Sequence, residues 1–215
     1  MFTEGYRSSA TTSRLYMYST QNGTATIFSL QMLHTNSNES IQLSKGENKF
    51  DLPNSVLTKD GKERKEISVS LQKEDIFEFE NVNVSVIKSD NKVLVMSYPT
   101  EAGHFDSYMM TIYGINQYKT DYSIVVPDDF TSYISVTFTS GSADGFRIDQ
   151  KRVLVYKLYR KQVAGTTYLT MACNITAGSH TINHESNIHF GLWIYGDRVY
   201  DGYGFPAGIA FNHNP

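Results

Sequence analysis

The chain has little of what would place it quickly. Its 215 residues hold one cysteine, one tryptophan and five prolines. A single Cys173 cannot staple the chain to itself, so no internal disulfide framework exists. A buried thiol in a strand over 168–175, facing opposite Asn174, is the first reading, and a bridge to a neighbouring domain or chain is the alternative. No run approaches the roughly 18 consecutive apolar residues that a membrane-spanning helix needs. Neither charge dominates: 19 Lys and Arg against 22 Asp and Glu give a net −3, which offers no general attraction to nucleic acid or anionic lipid. Windows rich in Leu and Ala with a 3.6-residue period are also missing, which argues against helical layers.

What is abundant points to sheet. There are 15 Tyr, 12 Phe, 22 Ser and 19 Thr. Aromatic and β-branched residues fit a half-buried pleated surface, and hydroxyl residues fit exposed strand faces and turns. With 40% hydrophobic and 19% charged residues the chain has material for a packed core and does not have the composition of a disordered segment.

Alternating runs fill much of the length. Arg14–Thr20 and Thr24–Met32 flank Asn22-Gly23, which reads as a hairpin because a type I′ turn needs positive φ at both centres. Val82–Lys88 and Lys92–Tyr98 read as a second hairpin across Ser89-Asp90-Asn91. Thr131–Thr139 alternates, with Ile134, Val136 and Phe138 on one face. Arg152–Leu158 is apolar on both faces and reads as a central strand. More than ten short strands separated by turn signals predict an all-β fold, two tandem antiparallel β-sandwiches of jelly-roll or Ig-like type, closely packed, at 1–104 and 105–215, with one integrated unit as the alternative. A weak internal repeat supports the division: Ser13–Thr20 resembles Ser132–Thr139, and Lys45–Asp51 resembles Ala177–Asn183.

Four sequons, at Asn22, Asn38, Asn83 and Asn174, are candidate glycosylation sites. Met1 is followed at once by Phe2-Thr3-Glu4-Gly5, without the features of a leader, so the chain is either intracellular or has lost one. The sequons favour the second choice, and an extracellular or cell-surface location is expected.

No arrangement of residues calls for catalysis, a cofactor or a metal. His180, His184, Glu185 and His189 are the densest set of potential ligands, yet His184-Glu185 to His189 is one residue too long for a helical zinc site, so turn or surface histidines are expected. Gly141-Ser142 lacks the central Ser and following helix of a nucleophile elbow. Asp128-Asp129 and Asp201-Gly202 read as turn chemistry rather than as a calcium loop. The mixed-sign run Lys59–Glu66 reads as a solvated loop.

The C-terminal stretch is the most specific. It runs through Gly178, His180 and Ile182, then Phe190, Gly191, Trp193, Tyr195 and Gly196, then Tyr203, Gly204, Phe205, Pro206 and Gly208. In order and spacing this resembles the N-terminal domain family of IgGFc-binding proteins, with its G-x-H-x-I element, F-G-x-x-x-Y-G strand and terminal Y-G-F-P-A-G; Gly202 stands where that family usually has Ser. The glycines and Pro206 also make sense as turn formers, and Trp193, Tyr195, Tyr203 and Phe205 as a closing segment locked onto the sheet, with Trp193 and Phe205 buried. The resemblance implies a non-enzymatic extracellular module, attached to other domains, that binds a protein or glycoprotein of mucin-like or immunoglobulin-like kind. A lectin-like carbohydrate-binding module and a passive spacer in an adhesive or matrix protein are the alternatives. Candidate ligand loops are Asn22-Gly23, the run with Lys59, Lys62 and Arg64, and Asp128-Asp129-Phe130, since sandwich modules keep recognition residues in loops or on strand edges.

Overall fold

The computed structural model describes residues 2–3, 13–19, 21, 23–30, 56–57, 63–81, 85–99, 106–139, 143–153, 157–163 and 165–211. Asn22, Asn38, Lys59, Lys62, Asn83 and the run Lys45–Asp51 lie outside them. The chain divides into two compact units, Met1–Thr100 and Glu101–Pro215. The fold is all-β, with four antiparallel sheets.

Unit 1 contains β1 (Phe2–Thr3), β2 (Ser13–Ser19), β3 (Gly23–Leu30), β4 (Val56–Leu57), β5 (Glu63–Leu71), β6 (Ile76–Asn81), β7 (Ser85–Ser89) and β8 (Val93–Pro99). One sheet has the order β1-β7-β3-β5-β4. In the other, β2 lies between β6 and β8. Met17, Ala25, Phe77, Val86 and Val95 are buried there.

Unit 2 contains β9 (Met110–Ile112), β10 (Asp121–Val126), β11 (Thr131–Phe138), β12 (Phe146–Ile148), β13 (Lys151–Arg152), β14 (Lys157–Val163), β15 (Thr166–Ile175), β16 (Gly178–His184), β17 (Phe190–Arg198) and β18 (Asp201–Pro206). Its sheets have the orders β10-β16-β12-β13 and β14-β15-β11-β17-β18. Strict alternation in β10 sends Tyr122, Ile124 and Val126 inward and leaves Asp121, Ser123 and Val125 exposed. They meet Ile134, Val136, Phe138, Phe190, Leu192 and Ile194 from the facing sheet in one core, with Phe146 and Ile182 between. Two sheets closing on one apolar layer make a sandwich. Phe146 sits at its centre, ring to ring with Phe138 and Phe190 at 5.0 Å each.

Both hairpins expected from the sequence are corrected. β2 and β3 lie in different sheets, and so do β7 and β8. Each turn is a corner where the chain crosses from one sheet to the other. The two corners hold each other: Thr24 N–H donates to Asp90 Oδ1 at 2.8 Å and Asp90 N–H to the Thr24 carbonyl at 3.2 Å. A Cβ at Gly23 would strike the Asn91 and Asp90 side chains, so the glycine serves close approach rather than a type I′ turn. Alternation specifies a strand and its faces; it does not name the neighbouring strand.

Three further readings change. Arg152–Leu158 is not one central strand: Arg152 ends β13, while Lys157 opens β14, an edge strand that pairs with β15. Within the charged run, 63–66 belong to β5, where Arg64 lies opposite Leu30 on one side and Val56 on the other, so Arg64 is a strand residue and not part of a loop. Phe205 is half-buried rather than buried.

The units share a plan. The order β7-β3-β5-β4 in unit 1 is repeated as β17-β11-β15-β14 in unit 2, and the pair β6-β2 as β16-β10. This equates β2 with β10 and β3 with β11. The repeat expected from Ser13–Thr20 and Ser132–Thr139 was therefore one strand out of step, because it set β2 against β11.

Candidate functional site

One end of unit 2 gathers several connections and their exposed side chains. Four connections converge there through the sheet registers: the β10–β11 corner at 127–130, the β12–β13 turn at 149–150, the β15–β16 link at 176–177 and the β17–β18 hairpin at 199–200.

The corner is built on Phe130. Its ring is edge-on to Tyr203 at 4.9 Å, and the Arg198 guanidinium lies 4.5 Å from its centroid. Asp128 and Asp129 stand exposed beside it, with Asp129 at φ 65°. Arg198 is held from its other side by Asp201 Oδ2, at 2.7 Å from Nη2 and 3.2 Å from Nε. Arg198, and then the Gly202 N–H on Oδ1, keep the Asp201 carboxyl below its ordinary pKa. The hairpin tip projects past this anchored pair, with Val199 62% and Tyr200 72% exposed. Tyr200 has φ 64°, so the turn holds a non-glycine residue in the left-handed region.

The second feature is a tie between turn and strand. His180 Nδ1 lies 2.7 Å from Asp149 Oδ2, and Nε2 lies 2.9 Å from the Thr176 carbonyl. A carbonyl oxygen only accepts, so Nε2 carries a proton. Asp149 Oδ1 accepts the Thr181 N–H at 2.8 Å, and Asp149 N–H donates to the Thr181 carbonyl at 2.9 Å. The Thr181 N–H, then the His180 bond, hold the Asp149 carboxyl below its ordinary value. The G-x-H-x-I element thus has a physical content: Gly178 opens β16 at φ 113°, His180 fastens the 149–150 turn, and Ile182 enters the core.

The rest of the motif is scaffold. Phe190 and Leu192 lie in the core. Trp193 is buried on the opposite face of β17, stacked on Tyr113 at 4.7 Å, and its Nε1–H donates to the Thr111 carbonyl. Tyr195 stacks on Tyr133 at 5.6 Å. Gly196 leaves room for the Tyr203 ring, whose hydroxyl donates to Ser132 Oγ at 2.7 Å. Pro206 pairs opposite Trp193 at the end of β18. Beyond that point β17 is met by the Ala207 N–H on the Leu192 carbonyl, by the Lys119 carbonyl on the Phe190 N–H, and by two tyrosine hydroxyls. Tyr113 Oη accepts from Leu192 N–H and donates to its carbonyl, and Tyr122 Oη donates to the Phe190 carbonyl at 2.6 Å. Burial raises the pKa of both phenols.

Of the expected histidines, His184 is buried against Phe146 rather than at the surface, with Nδ1 accepting from Ser186 N–H. Cys173 is buried and Asn174 exposed on the other face of β15. Among the described residues no group of three His, Cys, Asp or Glu is placed to hold a metal ion, and no helix is long and apolar enough to cross a membrane.

Sequence reasoning found Asp128, Asp129 and Phe130 but not Arg198, Val199, Tyr200 or Asp149. A signal for the hairpin was present: Trp193–Asp197 and Gly202–Pro206 are strand-like and separated by Val199-Tyr200, two large apolar residues in a turn.

The fold defines an all-β protein of antiparallel sheets, with four connections clustered at one end of unit 2. The family model described as IgGFc binding protein matches residues 50–196, more than half of the chain. The chain belongs to the IgGFc-binding protein family. The matched span reaches into both units and ends at Gly196, so Tyr203–Gly208 lies beyond it. No curated protein and no solved structure matches the chain.

Proposed function

We propose that this chain is a non-catalytic, extracellular or cell-surface binding module whose ligand is a protein or glycoprotein. The observation that carries the reading is membership of a family described by its binding to the Fc part of immunoglobulin G. The surface that supports it is the loop end of unit 2, where Val199 and Tyr200 project beside Asp128 and Asp129. Tyrosine supplies rigid amphipathic contact area at low entropic cost, and a guanidinium already fixed by Asp201 and Phe130 needs no further ordering. A glycan at exposed Asn174 is part of the same proposal, as are other domains flanking this one.

The Fc fragment of immunoglobulin G is the first probe, measured against the full chain and against Tyr200→Ala with Val199→Ser. Saturable binding weakened at least tenfold, about 1.4 kcal/mol, supports the module and its loop end. If Fc does not bind, capture from extracellular fluid repeats the test with the same variants. A captured protein insensitive to them moves the contact elsewhere, and the absence of any saturable protein ligand overturns the reading.

A further inference from the structure

The equivalence of β2 and β10 exposes a difference between the units. In unit 1, β2 is flanked on both sides, by β6 and by β8, the latter in antiparallel register from Ser13↔Pro99 to Ser19↔Val93. In unit 2, β10 pairs with β16, and among the described residues no strand pairs with its other edge. The last strand, β18, joins β17 in the facing sheet instead. Among the described residues, a strand position that is filled in unit 1 is open in unit 2.

The open edge carries none of the usual protection. An edge strand offers unpaired N–H and C=O groups, and proteins blunt it with charge, proline, bulges or brevity. The other edges of unit 2 follow that rule. β13 is two residues long, both exposed cations, Lys151 and Arg152. β14 carries Lys157, Arg160 and Lys161, and β18 contains two glycines and Pro206. By contrast β10 has a single charge, at its first residue, with no glycine or proline within it. Ser123 is exposed and Val125 is 66% exposed, so the outward face of β10 carries no charge beyond Asp121.

We infer that β10 accepts a strand from the partner protein, antiparallel and completing the sheet as β8 does in unit 1. The inference rests on the reading of the chain as a protein-binding module and names the element recognised. That element is an extended segment, apolar or hydroxyl-bearing at alternate positions and uncharged through its middle, as Val93–Pro99 is, where Val95 and Ser97 are buried. Main-chain hydrogen bonds supply the affinity, and exposed Val125 offers apolar contact to an outward side chain of the added strand. Val126 leads directly into the Pro127–Phe130 corner, so one end of that strand would reach the loop cluster above.

The test uses the full chain and a synthetic peptide of the sequence Lys92–Pro99, at up to about 1 mM. Amide hydrogen exchange is read residue by residue. At alternate residues of β10 exchange is expected to slow at least tenfold, while a scrambled peptide has no effect. Ser123→Lys with Val125→Lys places charge on two exposed positions, and it should abolish the slowing without moving the melting temperature. Unchanged exchange in β10, equal slowing by the scrambled peptide, or slowing retained in the double variant would overturn the proposal. Protection that rises with protein concentration in the absence of peptide would assign the edge to a second copy and also overturn it. Fc or captured-ligand binding is measured separately, so a failed edge with intact ligand binding leaves the module reading standing, and the reverse outcome removes that reading alone.

Discussion

Unit 1 and unit 2 arrange their strands by the same rule and finish them differently. In both, the first strand of the shared plan crosses to the facing sheet at a tight corner, β2 to β3 and β10 to β11. In unit 1 the last strand, β8, returns to lie against β2; in unit 2 it turns back along β17. The remainder of β17 in unit 2 is met by the main chain of Lys119 and Ala207 together with the hydroxyls of Tyr113 and Tyr122. One plan can therefore yield a covered strand or an open one, depending on where its final strand docks.

The strongest way to break what the units share is to empty a core. Phe146→Ala removes a fully buried ring that touches Phe138 and Phe190, and about 3–5 kcal/mol should be lost. Met17→Ala in unit 1 should cost about 2–5 kcal/mol. Denaturant unfolding of the full chain measures both, and a loss under 1 kcal/mol for Phe146→Ala would contradict the central place given to that ring.

A change confined to unit 2 sharpens the difference. Tyr122→Phe keeps the ring but leaves the buried Phe190 carbonyl without its 2.6 Å donor, and about 1–3 kcal/mol is expected. The corners give a smaller contrast. Asp90→Ala removes the acceptor of Thr24 N–H and should cost about 0.5–1.5 kcal/mol, whereas exposed Asp128→Ala should stay within about 0.5 kcal/mol. Equal losses at the two corners would show that the Thr24–Asp90 pairing does not hold unit 1 together.

The smallest effect expected is on acidification. Asp149 has its carboxyl pKa lowered in the folded state from an ordinary 3.8, so its stabilising contribution is complete above that value and is lost as pH falls through the lower folded value. Protection of the Thr181 amide, taken relative to its intrinsic exchange at each pH, should fall over that interval, and Asp149→Asn should remove that fall. A loss of protection that begins near neutrality would point to a different group.

The sequence shows which segments are strands and which residues face inward, because a period of two survives in β10, β11 and β15 without reference to their neighbours. It shows the buried thiol and the exposed asparagine of 173–174 for the same reason. It does not show partners. Asn22-Gly23 has the composition of a hairpin turn, yet its glycine is there to let the 89–91 corner approach, a contact set 66 residues away. His180 was visible as part of a motif, but its purpose depends on Asp149, 31 residues distant, which no spacing rule connects to it. The loop site was half legible: Phe130 stands out beside two acids, while Arg198 and Tyr200 join it only through the pairing of β11 with β17. The family resemblance was legible because the elements from Gly178 to Gly196 are local and closely spaced, and the family match includes them.

The central claim, a covered strand in one unit and an open one in the other, is tested most directly by native-state amide hydrogen exchange of the free full chain, compared between β2 and β10. Backbone N–H groups alternate between the two edges of a strand, so a strand flanked on both sides is protected at every residue and an edge strand at every second one. Continuous protection is expected through Leu15–Tyr18 and alternating protection through Asp121–Val126. Continuous protection through Asp121–Val126 would contradict the claim.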